Sequence, residues 1–164
     1  MYTGWGVDSG LDHVSWLRRL VDAAPTRPYD LLGIRVAAAE KGTVEMEWLP
    51  GESALNREGV VHGGYIAVAL DEVCGVAAVS ASEPATPVVT MSLNVDYIRP
   101  LLPGQRYHLI GTVLRNGRQR TLVRGTVTDG SGQLCAHATA SLTPNRKRLA
   151  SPAADSRTAT PNGR

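Results

Sequence analysis

The chain has 164 residues, of which 43% are hydrophobic and 20% charged, enough to bury one sizeable core and too few for two. The formal net charge of +2 is too small to indicate nucleic-acid binding. The basic excess lies in residues 144–164, where five basic groups accompany one acid, so the rest of the chain is slightly acidic.

The N-terminal residues predict a short lead-in followed by an amphipathic helix. Residues 1–10 lack the basic start and the apolar run of a secretory signal. Ser9 and Asp12 have the spacing of a capping box, and apolar residues then recur at helical intervals until Pro25 and Pro28. We therefore expect an extra N-terminal helix over residues 11–24.

Two strands and a central helix are predicted next. Residues 32–39 and 43–49 have strand character, and Glu45 and Glu47 alternate with apolar residues in the second strand. After a polar loop over residues 50–59, the segment 60–81 has apolar residues all round a helix axis, which predicts burial on nearly every side. Because charged residues and glycines interrupt this segment, we do not expect it to span a membrane.

The C-terminal half predicts four more strands, over residues 88–98, 105–115, 120–129 and 133–142. Asn116-Gly117 lies between two of them and is a strong hairpin signal. The expected architecture is α+β, with a long central helix wrapped by an antiparallel sheet in one domain over residues 11–143. Residues 144–164 lack periodicity and are expected to form a disordered basic tail.

The cysteines indicate neither a disulfide framework nor a metal site. Cys74 and Cys135 are far apart in the sequence and belong to no CxxC or Cys/His cluster. A reducing, cytoplasmic location is therefore expected, and no metal is predicted.

One set of residues resembles a known family signature, N-x-x-G-x-x-H-G-G-x-x-x-x-x-L-D, that of hotdog-fold acyl-CoA thioesterases of the phenylacetyl-CoA type. The matching residues are Asn56, Gly59, His62, Gly63, Gly64, Leu70 and Asp71. The segment TMSLNVDYIRPLLPGQ is similar to that family's strand after the helix, and the likeness covers roughly residues 31–142.

This resemblance implies a hotdog fold and the hydrolysis of an acyl-CoA or acyl-carrier thioester without a cofactor, coenzyme A being part of the substrate. It also implies active sites at the interface of a homodimer and the pairing of two such dimers into a tetramer. Asn56 and His62 would orient the thioester and the helix entry, and Thr90 would help to position water. From the residues alone, Asn56 could equally cap the helix start and His62 could be a packing histidine.

Gly63 and Gly64 lie where the central helix begins. The first N–H groups of a helix have no intrahelical acceptor and lie at the positive end of its dipole, so an oxyanion could bind there. Glycine would also let a thioester carbonyl approach the backbone closely. The alternative is that the two glycines only allow a tight turn.

Asp71 is a carboxylate in the middle of an otherwise apolar helix, where an unpaired charge is costly and often marks a functional acid. Its neighbour Glu72 lies about 100° further round the helix, so only one of them can face a given site. We assign the reaction to Asp71 and expect Glu72 to be a helix-edge charge paired with an arginine.

The spacing of these groups predicts a site shared between two chains. His62 and Asp71 are nine residues apart, which on a helix is about 13 Å of rise and half a turn out of phase. One chain therefore cannot bring both helix positions to the same carbonyl, and a two-fold axis is needed.

Basic residues cluster around the predicted hairpin. Guanidinium groups bind phosphate oxygens in a fork geometry, so the hairpin is a candidate site for the phosphates of coenzyme A. The residues assigned to it are Arg115, Asn116, Arg118 and Arg120, with Arg99 and Arg106 as the next candidates. The alternative is a solvated hairpin tip.

Two other functions remain open at this stage. The hotdog fold also supports hydratases and dehydratases, because a fold does not fix its chemistry. A non-catalytic acyl-CoA-binding protein could have kept the same pocket, although the retained Asp71 argues against this.

Overall fold

The computed structural model describes Ser15 and residues 32–82 and 86–145. The strands are β1 (Ile34–Glu40), β2 (Thr43–Trp48), β3 (Val88–Tyr97), β4 (Tyr107–Asn116), β5 (Thr121–Thr128) and β6 (Leu134–Pro144). One 18-residue helix, α1 (Gly63–Ser80), and a short 3-10 turn (Glu52–Ala54) lie between β2 and β3. The predicted N-terminal helix and the tail beyond Asn145 lie outside the described residues.

All six strands form one antiparallel sheet in the order β1-β2-β4-β5-β6-β3. The strand that follows α1 therefore pairs with the last strand, so β1 and β3 are the two edges. Helix α1 lies across one face and contacts every strand. This is the predicted α+β arrangement, and the Asn116-Gly117 hairpin joins β4 to β5 as expected.

The helix is wrapped less completely than its composition predicts. By length and composition alone α1 could cross a bilayer, but 56% of it is buried within the fold, as in the core helix of a folded domain. In its first two turns, however, Tyr65 and Val68 are 36% and 42% exposed. The prediction of burial on nearly every side is wrong for this half, because the sheet covers only one side of the helix there.

A pair of glycines lets the helix lie close to the sheet. Gly111 on β4 and Gly125 on β5 are direct partners in register. A Cβ atom at Gly111 would be 2.4 Å from the Val73 carbonyl oxygen, and one at Gly125 would be 2.8 Å from the Cys74 sulfur. A side chain at Gly111 would therefore require the helix to move, and one at Gly125 would require the Cys74 side chain to shift.

Polar contacts fix the C-terminal end of the helix. Ser80 Oγ accepts a hydrogen bond from the Gly42 N–H, which ties the β1–β2 turn to the helix. Asn116 Nδ2 donates to the Ala81 carbonyl oxygen at 2.9 Å, which ties the hairpin to the same end. The helix is thus held at this end by loops from both halves of the chain.

The glycine contact can be tested by substitution. We expect Gly111→Ala to lower the free energy of unfolding by about 2–3 kcal/mol, because the added methyl group meets helix backbone that cannot rotate away. Gly130→Ala is the matched control, since a Cβ there has no neighbour within 4 Å. Urea unfolding measures both variants, and equal stability would contradict the close approach.

Candidate active site

The helix begins with a histidine cap. His62 has an extended backbone, and its Nδ1 accepts a hydrogen bond from the Gly64 N–H at 3.0 Å. His62 is exposed and caps the helix, so of the two interpretations of this residue the packing histidine is excluded. Of the two predicted glycine donors, Gly64 is thus engaged, whereas the Gly63 N–H has no acceptor within residues 32–82 and 86–145.

The loop before the helix is organised by Asn56. Its Oδ1 accepts hydrogen bonds from the Glu58 and Val60 N–H groups at 2.9 and 3.3 Å. Gly59, which has a φ of 77°, closes the same turn by donating to the Asn56 carbonyl oxygen. Asn56 is therefore not a helix cap, and its Nδ2 makes no hydrogen bond to another described residue.

Asp71 and Thr90 form the polar pair at the middle of the helix. Thr90 Oγ1 donates a hydrogen bond of 2.8 Å to Asp71 Oδ1. Asp71 is half-buried, and Thr90 comes from the edge strand β3. The structure thus brings together two residues that the sequence places 19 positions apart, and it fixes the orientation of the carboxylate.

A β-bulge makes this pair possible. The register of β3 against β6 shifts between Thr90 and Ser92. Side chains alternate between the faces of a strand, so Thr90 could not otherwise share a face with Leu93 and Val95. Leu93 and Val95 pack against the core on the helix side. No residue pattern in the sequence marked this bulge.

Cys74 lies one helical turn after Asp71 and is no candidate nucleophile. Burial, with a contribution from the Asp71 charge, raises the pKa of its thiol to about 12. A thiol with that pKa is protonated at neutral pH, and only the thiolate is reactive. Asp71 therefore remains the group that can accept a proton or attack a carbonyl here.

The other end of β3 contacts the start of the helix. Tyr97 Oη donates to the Gly63 carbonyl oxygen at 3.0 Å, and its ring lies 3.3 Å from where a Gly63 Cβ would be. Sequence reasoning missed Tyr97, although it belongs to the segment TMSLNVDYIRPLLPGQ. Strand β3 thus touches α1 at both candidate groups, at Asp71 through Thr90 and at Gly63 through Tyr97.

Gly63 and Asp71 themselves do not meet within one chain. They lie on one continuous helix, eight residues apart, which corresponds to about 12 Å along its axis. Within residues 32–82 and 86–145, no group of three or more His, Cys, Asp and Glu side chains could hold a metal ion.

Some of the candidate arginines contact β2 or β6, and others line clefts beside the hairpin. Arg106 pairs with Glu47 at 2.7 Å, and Arg99 donates to the Leu134 carbonyl oxygen. Two clefts of about 550 and 500 Å³ flank the hairpin. The first is lined by Met91, Arg118, Gln119, Arg120, Thr143 and Pro144, and the second by Arg115, Gly117, Arg118, Gln119, Arg120 and Leu122.

Asn116 is held by the fold. Besides its bond to the helix end, its Oδ1 accepts a hydrogen bond from Thr121 Oγ1 at 2.9 Å. The amide thus has partners on both its nitrogen and its oxygen, and Asn116 anchors the hairpin. We leave it out of the substrate site proposed below.

Residues 58–136 match the thioesterase superfamily. A candidate esterase of Saccharolobus solfataricus is 33% identical over 110 residues, which are 67% of this chain and 77% of that protein. The chain belongs to the thioesterase superfamily. It is accordingly a thioester hydrolase, as the sequence signature predicted.

Solved structures share the fold. A Streptococcus mutans protein crystallised with acetyl-CoA is 27% identical, with a TM-score of 0.65 over 68% of this chain and 88% of that one. The Escherichia coli PaaI protein from the phenylacetic acid degradation operon has a TM-score of 0.73 over 82% of this chain and 95% of that one. At 18% identity, PaaI shows the fold alone. The hotdog prediction is confirmed.

Proposed function

We propose that this thioesterase hydrolyses an acyl-CoA thioester, with acyl-carrier thioesters as the related alternative, at a site shared between two chains. The observation that carries the proposal is the hydrogen bond between Thr90 and Asp71, which holds a half-buried carboxylate at the sheet edge. The acetyl-CoA bound to the similar Streptococcus mutans protein supports coenzyme A as the leaving group.

In the proposed reaction, the Asp71 carboxylate takes a proton from water, whose oxygen adds to the thioester carbon. Direct attack by Asp71 on that carbon is the second route open to the same residue. The free Gly63 N–H, at the positive end of the helix dipole, stabilises the negative oxygen that forms. Collapse of the tetrahedral species expels the thiolate, and the proposed chemistry uses no metal or cofactor.

The roles of the two carboxylates can be separated. We expect Asp71→Asn to reduce acyl-CoA hydrolysis by about 10²–10⁴-fold, because it removes the proton acceptor with little change in volume. The neighbouring Glu72→Gln is the matched control and should stay within a few-fold of wild type. Release of free thiol measures both, and an active Asp71→Asn would move the role elsewhere. Wild-type protein that binds acyl-CoA without hydrolysing it would instead be a binding protein.

The geometry of β3 supports a two-fold pairing of chains. If β3 pairs with its copy antiparallel about Asn94, the bulge places Thr90 opposite Tyr97 of the partner subunit, on the helix face of the sheet. Because Thr90 holds Asp71 and Tyr97 contacts Gly63, this pairing brings Asp71 beside the partner's Gly63. The same pairing could cover Met91, which is 57% exposed on this edge.

The proposed pairing of chains can be tested by substitution at the centre of β3. We expect the wild-type protein to sediment as a dimer, or as a tetramer if dimers pair. Asn94→Glu should shift it toward monomer and lower hydrolysis in parallel, because two like charges would face each other near the axis. Thr139→Glu is the matched control, since Thr139 is the exposed partner of Asn94 on β6, away from the edge. A fully active monomer would contradict the shared site.

The hairpin clefts support a site for the coenzyme A phosphates. Met91 follows Thr90 on β3 and lines the larger cleft together with Arg118 and Arg120. That cleft therefore adjoins the strand that holds Asp71. Arg118 and Arg120 line both clefts, and we take Arg120 as the arginine to test.

We expect Arg120→Ala to raise KM for acyl-CoA by about tenfold at most, with little change in kcat, because the contact is remote from the reacting carbonyl. The effect should weaken as salt is added. Arg124→Ala, an exposed arginine of β5 that lines neither cleft, is the control. A short thioester without the nucleotide should not respond, and an equal response from both substrates would exclude a phosphate contact.

A further inference from the structure

We infer that Tyr97 is a positioning residue, which aims the Gly63 N–H at the thioester oxygen by holding the first turn of α1. The inference rests on the proposed role of Gly63 as oxyanion donor. It adds a residue to which neither the family signature nor the sequence reasoning gave a role.

The first turn of α1 has few side chains with which to hold its own position. Gly63 and Gly64 have none, and glycine is the residue with the greatest backbone freedom. Tyr65 is exposed, so Ile66 is the first helix residue whose side chain is buried. Outside contacts must therefore fix the Gly63 N–H.

Tyr97 supplies such a contact from the edge strand. Its hydroxyl donates to the Gly63 carbonyl oxygen at 3.0 Å, and its ring atoms lie 3.3 to 3.5 Å from the position of a Gly63 Cβ. The ring thus occupies the space beside Gly63 that a side chain would otherwise fill. Tyr97 and the His62 cap hold the same peptide unit, between Gly63 and Gly64. The peptide unit before Gly63 is held through the His62 carbonyl oxygen, which accepts from the Tyr65 and Ile66 N–H groups. With the Tyr97 contact, both sides of the Gly63 α-carbon are therefore restrained.

The contact adds little that the fold needs for stability. Carbonyl groups in the first turn of a helix already accept intrahelical hydrogen bonds, so the Tyr97 hydroxyl makes a second bond to Gly63. Tyr97 is also 54% exposed, and hydrogen bonds that compete with water contribute little to folding. The effect that remains for the Tyr97 hydroxyl is to orient the neighbouring donor, the Gly63 N–H.

The test compares two hydroxyl deletions at opposite ends of one helix. Tyr97→Phe removes the hydroxyl and keeps the ring, whereas Ser82→Ala removes a hydroxyl that donates to the Val79 carbonyl oxygen near the helix C-terminus. We expect Tyr97→Phe to lower kcat by about tenfold with KM within twofold, because a small displacement of a transition-state donor is costly. Ser82→Ala should leave kcat unchanged, and it should shift the melting temperature by about as much as Tyr97→Phe does. Equal kcat in both variants would overturn the inference.

A double substitution tests whether Tyr97 acts through Gly63. Gly63→Ala should lower kcat because its methyl group would lie 3.3 Å from the Tyr97 ring and displace it slightly. Adding Tyr97→Phe should then cost much less than it does alone. Independent, multiplicative effects on kcat would overturn the inference.

Asp71→Asn separates a failure of this inference from a failure of the proposed function. If Asp71→Asn stays active, the proposed function fails. If Asp71→Asn is inactive while Tyr97→Phe is unimpaired, only the role of Tyr97 is rejected.

Discussion

The close contact between α1 and the glycine pair Gly111 and Gly125 determines where everything else lies. Leu70, Val73 and Cys74 form the helix surface pressed onto these glycines. Residue 71 is then turned about 100° from Leu70, toward the flank where β3 runs, and residue 72 is turned a further 100°. The packing of the core thus selects Asp71 for the bond to Thr90, although Glu72 is chemically equivalent.

Strand β3 contacts the packed helix at both candidate groups. Its bulge brings Thr90 onto the helix face together with Leu93 and Val95, so that one strand can both close the core and orient a carboxylate. Seven residues later, Tyr97 reaches the helix start. The strand and the helix run in opposite directions between these contacts, so the candidate groups at the start and the middle of the helix are both held by a single strand.

The sequence predicts elements and chemistry better than it predicts contacts. All six strands follow from runs of strand-like residues between turn signals, and the central helix follows from a continuous apolar segment, because burial imposes these patterns directly. The signature also pointed to Gly63 and Asp71. It could not show the bulge or the bond from Tyr97, since both depend on how β3 aligns with β6 and α1. The hydrogen bonds that Asn56 and Asn116 make in the fold could not be predicted for the same reason, because their partners are set by loops that close only in the folded chain.

The two edges of the sheet differ in a way that supports the proposed pairing. Edge β1 is short and carries Arg35 and Glu40, and both features discourage pairing with another strand. Edge β3 has ten residues, contains no lysine, arginine or proline, and leaves Met91 exposed. An edge without such protection is a hazard for a monomer, whereas pairing with a second copy would cover it. Since this edge also joins the two groups that one helix keeps about 12 Å apart, the contact that protects the strand would also assemble the site.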